Sequence, residues 1–93
     1  MKQFSEDLNT AVITTKYVLE NRSPILFVFH FEDGFWQFSG AEENLSNEDY
    51  KLVSLDEIIT LDPSVLQVSD LQYEKKAYRE NTSSNWKITD VAN

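Results

Sequence analysis

The clearest pattern in the chain is an alternation. Residues 25–39 read ILFVFHFEDGFWQFS, two apolar runs around a polar corner. Successive side chains of an extended chain point to opposite faces. The pattern therefore predicts two strands, 25–31 and 35–39, folded into a hairpin. Asp33-Gly34 predicts a two-residue type I′ corner, which needs positive φ at both positions. That register sets Phe31 opposite Trp36, His30 opposite Gln37 and Phe29 opposite Phe38. One face would then carry Phe27, Phe29, Phe31, Trp36 and Phe38 as an aromatic core wall. The other would carry Leu26, Val28, His30, Glu32, Phe35 and Gln37, a mixed set that is half-covered or lies near an opening.

The rest of the chain supplies shorter elements. The β-branched run TAVIT (10–14) predicts a strand, and 16–21 a helical turn or a continuation of that strand. NRSP is a loop, because the residue before Pro24 is pushed out of the helical region. The acidic connector 40–50 has Ser46 and Asp49 spaced to cap a turn, and a third strand runs through Leu52 and Val53. Ser54 and Glu57 form an S-x-x-E capping box ahead of an apolar stripe, and Asp62 with Pro63 starts a second turn. Both should pack on the aromatic wall through Ile58, Ile59, Leu61, Val65 and Leu66. In the tail, strands at 76–80 and 86–89 around the turn-rich NTSS compete with one helix over 73–80, and the hairpin fits the alternation better. The first nine residues are polar and are expected to fray. The sum is one α+β domain over 1–93. A small antiparallel sheet is built on the central hairpin 25–39, with one or two short helices packed on its aromatic face.

Composition narrows the class. Ninety-three residues bury a single core. With 41% hydrophobic and 13% aromatic residues, two glycines and two prolines, the chain is not of disordered type. The absence of cysteine excludes disulfides, thiolate metal sites and a cysteine nucleophile. Sixteen acidic and eight basic residues give a net charge of −8, which repels nucleic acid and favours a basic protein partner. The start of the chain has acids at Glu6 and Asp7 where a secretory signal needs an apolar run. No stretch is long enough to span a bilayer, so a cytoplasmic location without membrane contact is expected.

Candidate chemistry is sparse. His30 is the only histidine, and imidazole titrates near neutral pH. In the expected register it shares a face with Glu32 and Gln37, a possible small-ligand or catalytic group. The bland alternative is a hydrogen-bonding histidine that braces the sheet. A zinc site takes three or four ligands, which one histidine without cysteine does not begin to supply, so no metal or cofactor is expected. No nucleophile elbow, phosphate loop, H-E-x-x-H or dinucleotide fingerprint occurs. Glu42, Glu43, Glu48 and Asp49 read as solvated surface or as a docking patch for a basic partner, with Phe35 as an aromatic anchor. Arg79, Lys75 and Lys76 read as local charge balance. The aromatic residues read as core before ligand pocket.

The hairpin motif Val28-x-His30-x-x-Asp33-Gly34-x-Trp36-Gln37-Phe38 precedes a segment with Val53, Ser54, Leu55, Glu57, Ile58, Ile59, Asp62 and Pro63. A tail follows with Tyr78, Arg79 and a late Trp86. Over roughly residues 12–86 this order resembles a family of small uncharacterised bacterial proteins. More distantly, it is similar to immunity-type proteins of polymorphic toxin systems, though it lacks an arginine-rich first strand and a long acidic insert. The resemblance implies no enzymatic activity and no catalytic residues. The functional expectation is a non-enzymatic protein-binding module, with an immunity-like protein as its specific form. The alternative is the small-ligand or catalytic module centred on His30.

Overall fold

In the computed structural model, which describes residues 3–91, the β-branched run forms β1 (Ala11–Thr15). Thr15 caps α1 (Lys16–Glu20), its hydroxyl accepting a hydrogen bond from the Val18 amide. The central hairpin is β2 (Phe27–His30) and β3 (Trp36–Ser39). After the acidic connector, a 3-10 turn at Asn47–Asp49 leads into β4 (Tyr50–Ser54). The Ser54 half of the expected capping box forms: the Glu57 amide donates to the Ser54 hydroxyl at 3.2 Å, and α2 spans Leu55–Leu61. Asp62 then accepts from the Ser64 amide at 3.0 Å and starts the 3-10 segment Pro63–Val68, with Pro63 in the first turn. In the tail, β5 (Lys75–Tyr78) and β6 (Lys87–Asp90) form the hairpin and not the competing helix.

These strands make one six-stranded sheet in the order β4-β1-β3-β2-β5-β6. The described pairs are antiparallel except β1 with β3, which run parallel with Ile13 opposite Gln37. The class is α+β, with the 25–39 hairpin central and short helical segments on one face. No helix among the described residues is long and apolar enough to cross a membrane.

The hairpin register differs from the expected one by a single residue, and the difference turns over one of its strands. His30 lies opposite Trp36, Phe29 opposite Gln37 and Val28 opposite Phe38. The corner holds three residues: the Gly34 amide donates to the Phe31 carbonyl, and the Phe31 amide to the Phe35 carbonyl, both at 2.9 Å. Gly34 alone has positive φ (94°), where the type I′ corner would also need it at Asp33. This is a type I turn closed by a glycine bulge. Val28 and His30 therefore share a face with Trp36 and Phe38, while Phe27, Phe29 and Phe31 share the opposite face with Phe35 and Gln37.

The helical segments cover the Trp36 side. Val12, Val28, Trp36, Phe38 and Ala77 of the sheet pack against Val18, Ile25, Leu55, Ile58, Val65, Val68 and Leu71 in one cluster. Of the expected helical contacts, Ile58 and Val65 are fully buried and Ile59 packs at the margin, whereas Leu61 is exposed. The leader expected to fray is tied down where it is described. Phe4 meets Trp36 edge-on at 4.9 Å, and Glu6 accepts a 2.7 Å hydrogen bond from the Trp36 indole. Residues 1 and 2 lie outside the described chain.

Buried Arg79 pins the second layer to the sheet. Its Nε and Nη2 both donate to the Ile25 carbonyl, Nη1 donates to Ser64, and Nη2 pairs with Asp62 at 2.9 Å. The Trp86 ring lies 4.1 Å from the guanidinium carbon. Sequence reading gave Arg79 a role in local charge balance; the structure makes it a buried strut bonded to Ile25, Ser64 and Asp62.

Candidate protein-docking face

The turned register leaves an aromatic ladder on the uncovered side. Phe27, Phe29 and Phe31 stack along β2 with ring centroids 6.3 and 5.7 Å apart and planes within 14° and 3° of parallel. All three are half-buried. Phe35 joins them at the turn end and is 45% exposed. On the far edge strand β4, Tyr50 and Leu52 project from the same face, Leu52 at 68% exposure. Pairing sets Ile13 beside both Gln37 and Leu52, so the shorter side chains of β1 and β3 lie between the β2 and β4 ridges. The surface there is concave. One hollow is lined by Phe27, Phe29, Gln37, Glu43, Leu45 and Tyr50, and the next by Ile13, Gln37, Tyr50 and Leu52. Gln37 is the shared floor.

Carboxylates flank both ends of this trough. Glu32 and Asp33 are exposed at the hairpin corner, and Glu43 and Glu48 are exposed on the connector. Two of the four connector acids have other work. Glu42 accepts a 2.7 Å hydrogen bond from Ser23 and is half-buried. Asp49 accepts from the Ser46 amide at 2.9 Å and pairs with Lys16 at 3.1 Å. The Ser46 amide first, and Lys16 second, hold the Asp49 carboxyl below the usual carboxylate range; the same contact raises Lys16. Glu43 and Glu48 are thus the exposed acids of the connector.

The structure does not gather the proposed His30 group. His30 is 6% exposed on the covered face, its ring stacked on Trp36 at 3.9 Å and flanked by Tyr73 at 4.5 Å. Gln37 is on the opposite face, and Glu32 is exposed in the corner. The Leu71 carbonyl 2.7 Å from Nδ1 can only accept, so Nδ1 carries the proton. Nε2 has no hydrogen-bond partner and lies 4.0 Å from the Glu6 carboxylate. This is the bland alternative raised by the sequence, a histidine that braces the sheet through a hydrogen bond to a backbone carbonyl, here that of Leu71.

Phe35, Glu43 and Glu48 are exposed as the sequence reading has them, whereas that reading assigned the phenylalanine ladder to the core and did not place Ile13, Tyr50 or Leu52 on this face. The available signal was the three-residue reading of Glu32-Asp33-Gly34, which moves every ring of β2 to the other face. Comparison of the chain with protein-family models, curated proteins and solved structures finds no match.

Proposed function

We propose that this chain is a non-enzymatic protein-binding module whose open sheet face receives a basic partner. The observation that carries the reading is the stacked ladder Phe27–Phe29–Phe31 left uncovered on a sheet whose other face carries the helical layer. A contiguous apolar face rimmed by polar groups is the usual mark of an interaction surface. Glu32, Asp33, Glu43 and Glu48 around it, on a chain of net charge −8, favour a partner with lysine or arginine at its rim. The immunity-like form of this reading, with a basic toxin as partner, draws on the resemblance in the hairpin pattern.

The test is affinity capture from the native host with the natural chain and with a Glu43→Lys/Glu48→Lys variant. A stoichiometric basic protein should be retained by the natural chain. It should be released by the charge reversal, and by raising ionic strength from roughly 0.05 to 0.5 M. Capture that ignores both changes, or an acidic partner, would end the proposal.

A further inference from the structure

The shape of the open face says what kind of structure would fill it. Two rows of large side chains, Phe27, Phe29 and Phe31 on β2 and Tyr50 and Leu52 on β4, stand on strands separated by β3 and β1. Between them lie Gln37 and Ile13, directly paired, with Ser39 and Ala11 further along the same faces. Adjacent strands are about 4.8 Å apart, so the ridges are about 14 Å apart at the backbone. An α-helix with its side chains is about 10–12 Å across, which suits a trough of that width.

The spacing along the trough agrees. The stacked rings repeat at 6.3 and 5.7 Å. A helix rises about 1.5 Å per residue, so side chains at i, i+4 and i+8 repeat at about 6 Å and can interleave with the ladder. Phe27 to Phe31 covers about 13 Å of strand, close to the roughly 12 Å of helix from i to i+8. One further turn at each end would bring basic residues over Glu32 and Asp33 at the corner and over Glu43 on the connector. A flat partner sheet would have to bridge the trough and leave the Gln37 amide beneath it without a partner.

Resting on the protein-binding reading above, we propose that the occupant of this face is an amphipathic basic helix of about four to five turns lying along β2. It would present apolar residues at i, i+4 and i+8 to the trough and lysine or arginine at both ends. Gln37 at the floor supplies a polar contact at the centre of the seat.

Three synthetic peptides of equal length, 17 residues, separate the possibilities. The first is leucine–lysine with leucines at helical spacing. The second has the same composition in strict alternation, which favours a strand. The third keeps the helical leucines and replaces every lysine by glutamate. Binding is read by amide chemical shifts and by peptide helicity, with Phe29→Ser and Leu52→Ser as variants on opposite ridges. Both sites are solvent-facing, and amide-shift dispersion checks that each variant folds. The expected result is that the helical leucine–lysine peptide gains helicity and shifts residues of β1, β2 and β3. Each ridge variant should weaken it about tenfold. The inference is overturned if the alternating peptide binds as well, if the helical one binds without effect of either variant, or if it does not bind. Equal binding of the glutamate peptide would instead overturn the basic-partner reading while leaving the helical seat standing.

Discussion

On the covered face of the sheet, Trp36 and Phe38 retain 1% and 0% of their exposure, each fitted against a helical layer and the leader. On the open face, Phe27, Phe29 and Phe31 touch chiefly one another and their strand neighbours, and remain half-buried. The same residue types thus occupy both sides of the same two strands under different constraints. Covered rings sit beside small partners, Val28 next to Ala77 and Phe38, which leaves room for α2 and the Pro63–Val68 segment. Open rings meet no second layer within the described chain. The lesson is that apolar character on a strand marks a face suited to cover, and here the described chain builds one cover and leaves the other face open.

Substitution on each face gives the sharpest contrast. Trp36→Ala removes a fully buried ring and the donor to Glu6, so it should cost about 3–5 kcal/mol in urea unfolding. Phe29→Ala, half-buried on the open face, should cost about 1 kcal/mol or less. Equal losses would mean that both faces are core, and the docking reading would fall with that distinction.

The buried strut comes next. Arg79→Met takes the guanidinium donors from Asp62 Oδ2 and the Ile25 carbonyl, for an expected loss of about 3 kcal/mol. The exposed pair Lys75–Asp90 is the control, since a solvated ion pair contributes under about 1 kcal/mol. If Lys75→Met destabilised the chain as much as Arg79→Met, the helical layer would not depend on Arg79.

His30→Ala deprives the Leu71 carbonyl of its buried donor, and about 1–3 kcal/mol should be lost. Gln37→Ala, its counterpart on the other face, should leave stability nearly unchanged and weaken only partner binding. A ranking of the two in the reverse order would contradict the register.

The smallest effect is a pH dependence at the connector. The Asp49 carboxyl titrates below its unfolded value, so its stabilisation is complete above that unfolded value and disappears as pH falls through the folded one. Lys16 is raised, so its share is lost only at alkaline pH, as pH rises through the folded value. Asp49→Asn should therefore narrow the difference in stability between neutral and acidic pH. A variant whose pH profile overlays that of the natural chain would remove the Ser46–Asp49–Lys16 contact from the account.

Local chemistry made most of the elements legible. Ser54 with Glu57, Asp62 with Pro63, and Ser46 with Asp49 each mark a helical start by a side chain that satisfies an otherwise unpaired amide, a matter of neighbours in sequence. Phe35, Glu43 and Glu48 were legible as surface groups because polar loops and corners face water. The leader was not: nothing local tells Phe4 and Glu6 that Trp36 will lie beside them. The role of Arg79 also depends on Ile25, Asp62 and Ser64, all distant along the chain.

The α+β class, the central hairpin and its flanking caps were therefore determined by the sequence itself, through alternation and short-range hydrogen bonding. Which rings are buried was decided only by the tertiary structure. Both sides of β2 are apolar, so alternation alone gives two equivalent readings, and one residue more in the corner exchanges them. Packing against the helical layer, with Val28 and Ala77 making room and His30 bonded to the Leu71 carbonyl, breaks that symmetry.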